Sequence, residues 1–170
     1  LSTPKIRAAI VGLALAMLVS SCSWWQGDKA LIIARLSALV EQMNAHGENG
    51  LGSLARAAQI GQFFTDDVIV ELGRGSAPMT GRDTLMAMAA RLEPRTSGFT
   101  VKLTDINVLV TPADQSADVN LTAEIIRKAT ATGAGAAAGP SMDAREFTVI
   151  MRKVDGEWKV ARLTAVDTLK

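Results

Sequence analysis

The stretch "REFTVIMRKVDGEWKVARLTAV", Arg145–Val166, decides the fold class. Two runs with period-two alternation flank Asp155-Gly156. An Asp-Gly pair between alternating runs is the strongest short-range hairpin signal, because both turn residues must take positive φ. In the first run Phe147, Val149 and Met151 share one face; in the second, Trp158, Val160, Arg162 and Thr164 do. Ile150, Ala161, Leu163 and Ala165 fall on the opposite face. Small apolar residues on a nominal solvent face predict a covered surface, the alternative being the scattered exposed apolar residues common on protein surfaces.

Working backwards, "ADVNLTAEIIRKA" (Ala117–Ala129) alternates cleanly, and "FTVKLTDINVLV" (Phe99–Val110) alternates with a change of phase. Its apolar positions run Phe99, Val101, Leu103 and then Ile106, Val108, Val110, which predicts a β-bulge near Thr104–Asp105 and a bent strand. "TATGAGAAAGPSM" (Thr130–Met142) reads as a low-complexity connection. "DDVIVEL" (Asp66–Leu72) reads as a short strand, with Asp66 and Asp67 turning the chain into it. Three helices precede or interrupt the strands. The first runs from about Lys29 to Ala45, capped by Asp28, with Ile32, Leu36, Leu39, Val40 and Met43 as its inner stripe. The second runs from Ser53 through Phe64, and the third from Arg82 to Leu92, stopped by Pro94. Helices first, then consecutive antiparallel strands, make an α+β layout: N-terminal helices packed on a strongly curved, mainly antiparallel sheet around a cone-shaped cavity.

Charge and cysteine content narrow the function classes. The net charge is +1 with no basic tract, so the phosphate neutralisation that nucleic-acid binding demands has no source, and no nucleic-acid partner is expected. The single cysteine, Cys22, allows no intrachain disulfide. It follows a basic start (Lys5, Arg7) and an uncharged apolar run, Ala8–Val19, too short to span a bilayer comfortably. Val19-Ser20-Ser21-Cys22 resembles the bacterial lipobox, an aliphatic residue and two small ones before a cysteine. The resemblance implies a lipoprotein signal peptide over 1–21, lipid attachment at Cys22, and a tether over 22–27 that begins with Ser23, Trp24 and Trp25. The tryptophans suit the headgroup zone of a membrane. Ser23, where an aspartate often means inner-membrane retention, points to the outer membrane facing the periplasm. The expected address is thus the bacterial cell envelope, with the membrane as a partner through the lipid.

The remaining chain, 28–170, resembles the nuclear-transport-factor-2-like (SnoaL-like, cone-like) superfamily. The residues carrying the resemblance are "FFTDDVIVEL" (Phe63–Leu72), "GRDTLMAMAARL" (Gly81–Leu92) and the closing hairpin with Gly156-Glu157-Trp158. The order of these motifs is more specific than any one of them. The resemblance implies the cone-like fold and, for the face of Ile150, Ala161, Leu163 and Ala165, a homodimer packed through the sheet, but the superfamily hosts isomerases, cyclases, dehydratases, adaptors and domains without known activity, so fold does not fix function.

The residues lean away from catalysis. Isomerases of the superfamily use a carboxylate base with an oxyanion-hole tyrosine, and this chain has no tyrosine. Its cyclases and dehydratases commonly use a His–Asp pair, and the one histidine, His46, falls in a Gly/Asn-rich loop. One histidine and one lipidated cysteine also fit no metal site. No cofactor is expected. Phe147, Met151, Trp158 and Arg162 are the expected pocket residues, with Arg162 either binding an anion or pairing with a structural acid such as Asp67 or Asp105. The function expected is therefore a non-catalytic envelope lipoprotein whose domain binds a small apolar or anionic ligand, or a protein partner, near the membrane. The alternative is a SnoaL-like isomerase, cyclase or hydrolase with Asp105 or Glu124 as a carboxylate base inside the cone.

Overall fold

The computed structural model describes residues 27–45, 50–73, 75–96, 99–127 and 141–166. The expected signal peptide, Cys22, the tether up to residue 26 and His46 lie outside them. Helix α1 covers residues 27–44. There follow α2 (Gly50–Gly61), β1 (Phe64–Glu71), β2 (Met79–Thr80), α3 (Arg82–Thr96), β3 (Phe99–Thr111), a 3-10 turn (Pro112–Asp114), β4 (Ser116–Arg127), β5 (Ser141–Val154) and β6 (Glu157–Ala165). The six strands form one sheet in the order β2-β1-β6-β5-β4-β3. Every pairing is antiparallel except β1 with β6. The α+β architecture read from the sequence is the one observed.

The β5–β6 hairpin closes at Asp155-Gly156, with φ of 53° and 82°. That double positive φ matches the right-handed twist of the flanking strands. Strand β3 shifts register between Thr104 and Asn107, and Asp105 sits there at φ 53°, so the phase change in its sequence is a bulge. The extra residue bends the strand and lets both halves direct their apolar residues inward. A second bulge, not anticipated, lies in β6: Met151 pairs with Val160 but Ile150 pairs with Arg162, leaving Ala161 unmatched. The two bulges curl the sheet over the helices.

Several element boundaries differ from expectation, beginning with α2, which starts at Gly50 and not at Ser53. Helix α2 ends at Gly61, and Phe64 begins β1 instead of ending the helix. Asp66 and Asp67 consequently stand within β1 and not ahead of it. Helix α3 passes Pro94 and ends at Thr96, since a proline near a helix end removes one hydrogen bond without preventing the turn that contains it. Most of the α1 stripe is as read: Ile32, Leu36 and Leu39 are buried in one core with Val68, Val119, Val149 and Met151 of the sheet, whereas Val40 is half-buried and Met43 is exposed.

Candidate functional site

The helical wall facing the sheet is held at both ends by specific polar contacts. At the start of α1, Asp28 is buried, and its carboxylate turns to the sheet instead of serving as a simple cap. Its Oδ1 accepts hydrogen bonds from Lys153 Nζ at 2.9 Å and from Trp158 Nε1 at 3.2 Å. Burial pushes the Asp28 carboxyl up, but the bonds from Lys153 and Trp158 and the charge of Lys153 outweigh it and hold the group below its ordinary value. The Lys153 ammonium also lies 5.6 Å from the Trp158 ring centre. At the far end, Asn44 behaves like a short length of strand. Its Nδ2 donates to the Val101 carbonyl at 2.7 Å, and its Oδ1 accepts from the Val101 N–H at 2.8 Å. Between the two, Arg35 stacks on Phe63 at 4.3 Å and donates to the Gln62 carbonyl and to Glu157.

Between these anchors the helices do not close on the sheet. They leave a chamber of about 360 Å³, at the small end of the roughly 300–1,000 Å³ usual for ligand pockets. Alternation supplies one wall: Leu121, Ala123 and Ile125 from β4, with Phe147 and Val149 from β5. Leu36, Leu39, Val40 and Met43 of α1 face them, and Leu85, Met86, Met88 and Ala89 of α3 close the side. The lining, completed by residues such as Met79, Val101 and Leu163, is aliphatic, thioether or phenyl throughout. Three of these residues, Met43, Leu72 and Met88, are also solvent-exposed, at 47%, 37% and 36%, and so mark the mouth. Four methionines line the chamber, and their flexible, polarisable side chains adapt to irregular apolar shapes.

The four expected pocket residues separate. Phe147 lines the chamber. Met151 and Trp158 are buried in the filled part of the core, Trp158 beneath the start of α1. Arg162 does not accompany Trp158 inward, because the β6 bulge at Ala161 reverses the alternation. Its Nη1 pairs with Glu71 Oε1 at 3.2 Å, and Thr164 donates to Glu71 Oε2 at 3.0 Å. The same bulge turns Leu163 into the chamber lining and buries Ala165. Those two residues were half of the apolar patch on which the sheet-face dimer was expected. The outer face there keeps Ile150 and carries Thr148, Arg152, Arg162 and Thr164 around it.

The carboxylates considered as bases also stand outside the chamber. Asp105 occupies the exposed bulge of β3. Glu124 alternates away from its chamber-lining neighbours Ala123 and Ile125 and lies 3.8 Å from Lys102. Asp66 pairs with Arg82 at 2.7 Å, and Asp67 with Arg152. The Thr65 hydroxyl and Arg152 hold Asp67 below its ordinary value. Among the described residues, no cluster of three or more His, Cys, Asp or Glu is arranged to hold a metal ion.

Solved structures with this architecture are numerous but distant. One is provisionally described as a dehydratase of the NTF2-like family, from Streptomyces avermitilis; it is 17% identical, covers 85% of this chain and 99% of its own, and has a TM-score of 0.65. An NTF2-like protein with a cystatin-like fold from Novosphingobium aromaticivorans is 14% identical over 86% of each chain, at 0.63. A protein from Catenulispora acidiphila, solved in complex with S-DNPA, is 10% identical, covering 82% of this chain and 92% of that one, at 0.62. At these identities the likeness shows the fold. No curated protein sequence matches the chain. The family model of the SnoaL-like domain matches residues 53–164, from α2 through β6, and the chain therefore belongs to the SnoaL-like domain family, within the NTF2-like cone fold.

Proposed function

We propose that this protein is a cell-envelope lipoprotein, anchored through lipid on Cys22, whose domain binds a small apolar ligand and does not transform it. The observation that carries the binding part is the chamber lining, drawn from all three helices and all six strands without one ionisable or hydrogen-bonding side chain. Such a wall favours the hydrophobic transfer of a ligand, at about 25 cal/mol per Å² of apolar surface, and offers no group that could move a proton. The dehydratase description of one structural relative would require an acid–base group within reach of the ligand, and Asp105 and Glu124 lie outside the chamber. The anchoring part rests on the lipobox resemblance at Val19–Cys22. The junction with the tether is at Gly27, and Met43 stands about 24 Å further along α1 at 1.5 Å per residue, so the mouth opens at the end of the helix remote from the anchor.

Each part has its own test. The neutral dye N-phenyl-1-naphthylamine should brighten with the wild-type protein, and Ala89→Trp, which fills the chamber from α3, should abolish the signal while the protein still melts cooperatively. Equal brightening by the two proteins would overturn the binding reading. Metabolic labelling with a palmitate analogue should mark the wild type and not Cys22→Ser; equal labelling would overturn the anchor.

A further inference from the structure

The chamber mouth carries one feature that the apolar lining does not explain. Arg145 pairs directly with Ala123 in the β4–β5 ladder, as Phe147 pairs with Leu121. Residues directly opposite in an antiparallel ladder project to the same face, and Leu121, Ala123 and Phe147 all line the chamber. Arg145 therefore continues the inner face of β5 one step beyond Phe147, where the strand leaves the core and becomes exposed. Its Nη1 donates to the carbonyl of Leu72 at 3.1 Å, and Leu72 is one of the three mouth residues. Among the described residues Arg145 forms no ion pair, whereas Arg35, Arg82, Arg152 and Arg162 each have a carboxylate partner. The neighbouring acid on the same face, Asp143, lies one step farther out, opposite Ile125. A single contact to Leu72 leaves most of the five guanidinium N–H donors open, in the fork that matches a carboxylate.

We infer that the ligand is a single-chain aliphatic carboxylate, with its tail in the chamber and its headgroup on Arg145. This rests on the binding reading above and specifies it. The volume bounds the tail: about 360 Å³, at the small end of ligand pockets, suits one aliphatic chain of moderate length. The lining sets its character, since any polar group placed along the tail would be buried without a partner. The site of charge recognition is thus the rim, where the headgroup keeps its hydration on one side.

Competition against N-phenyl-1-naphthylamine tests this with decanoate, decanol and decyltrimethylammonium as probes. Wild-type protein should bind decanoate about tenfold or more tighter than decanol, as a charge-assisted bond at a half-open site provides, and the cationic probe most weakly. Arg145→Gln should bring decanoate to the level of decanol while leaving decanol itself unchanged, and Arg145→Lys should retain part of the preference. Decanol binding as well as decanoate to the wild type, or a preference that survives Arg145→Gln, would overturn the headgroup assignment and leave the chamber reading standing. Failure of all three probes to compete, together with an inert Ala89→Trp substitution, would overturn both.

Discussion

Strands β4 and β5 carry two chemistries on one backbone. Their inward residues, Leu121, Ala123, Phe147 and Val149, form a dry wall with a void behind it. Their outward residues, Asn120, Glu124, Thr148 and Arg152, are spent on short polar pairs: Thr148 with Asn120, Glu124 with Lys102, Arg152 with Asp67. The difference teaches where function resides. On the outer face Glu124 and Arg152 are paired while Asp118 and Glu146 stand exposed to water, so partners and solvent together satisfy that surface. On the inner face the packing is incomplete, and natural cores rarely tolerate voids much larger than a water molecule unless something fills them.

The contrast also predicts how the two faces respond to substitution. The largest effect belongs to the filled part of the inner face: Met151→Ala, at a fully buried site, should destabilise by about 2–5 kcal/mol in urea unfolding. Next is the buried knot beneath α1. Asp28→Asn weakens two hydrogen bonds and removes an ion pair, and should cost about 1–3 kcal/mol at neutral pH. Because the folded state holds the Asp28 carboxyl below its ordinary value of 3.8, its ionised form stabilises the fold above that pH. The stabilisation is lost as the pH falls below 3.8 through the folded value. The gap between wild type and Asp28→Asn should therefore shrink on acidification, and a gap constant from pH 7 to pH 3 would refute the assignment. The smallest effect belongs to the outer face: Arg152→Ala breaks an exposed pair with Asp67 and should cost under about 1 kcal/mol in the same assay. Should Arg152→Ala rival Met151→Ala, the division between faces would be wrong.

Much of this was legible because it is local. Asp155-Gly156 demands positive φ at adjacent residues, and the phase change at Thr104–Asp105 marks a bulge without reference to any partner. The β6 bulge is written in the same code, since Trp158 and Val160 are followed by Leu163 and Ala165. Reading that stretch as unbroken alternation placed Arg162 inside and left Leu163 outside. Extending the Phe147, Val149, Met151 face two residues towards the N-terminus would have found Arg145. What could not be read locally was the use of Asp28, whose partners lie 125 and 130 residues away. A cavity inside the curved sheet was legible, but its size and the place of its mouth were not, because both depend on how far the helices stand from the sheet, and no residue pattern encodes that distance.

The methionines provide the most direct test of an adaptable apolar site. Met43, Met79, Met86 and Met88 line the chamber, while Met142 is exposed at 68% on the opposite side of β5 and Met151 is sealed in the core. With methyl-labelled methionine in the full chain, titration with decanoate should shift the four chamber resonances together and leave Met142 and Met151 in place. Chamber resonances that stay still while decanoate moves Met142, or no movement at any position, would contradict the account.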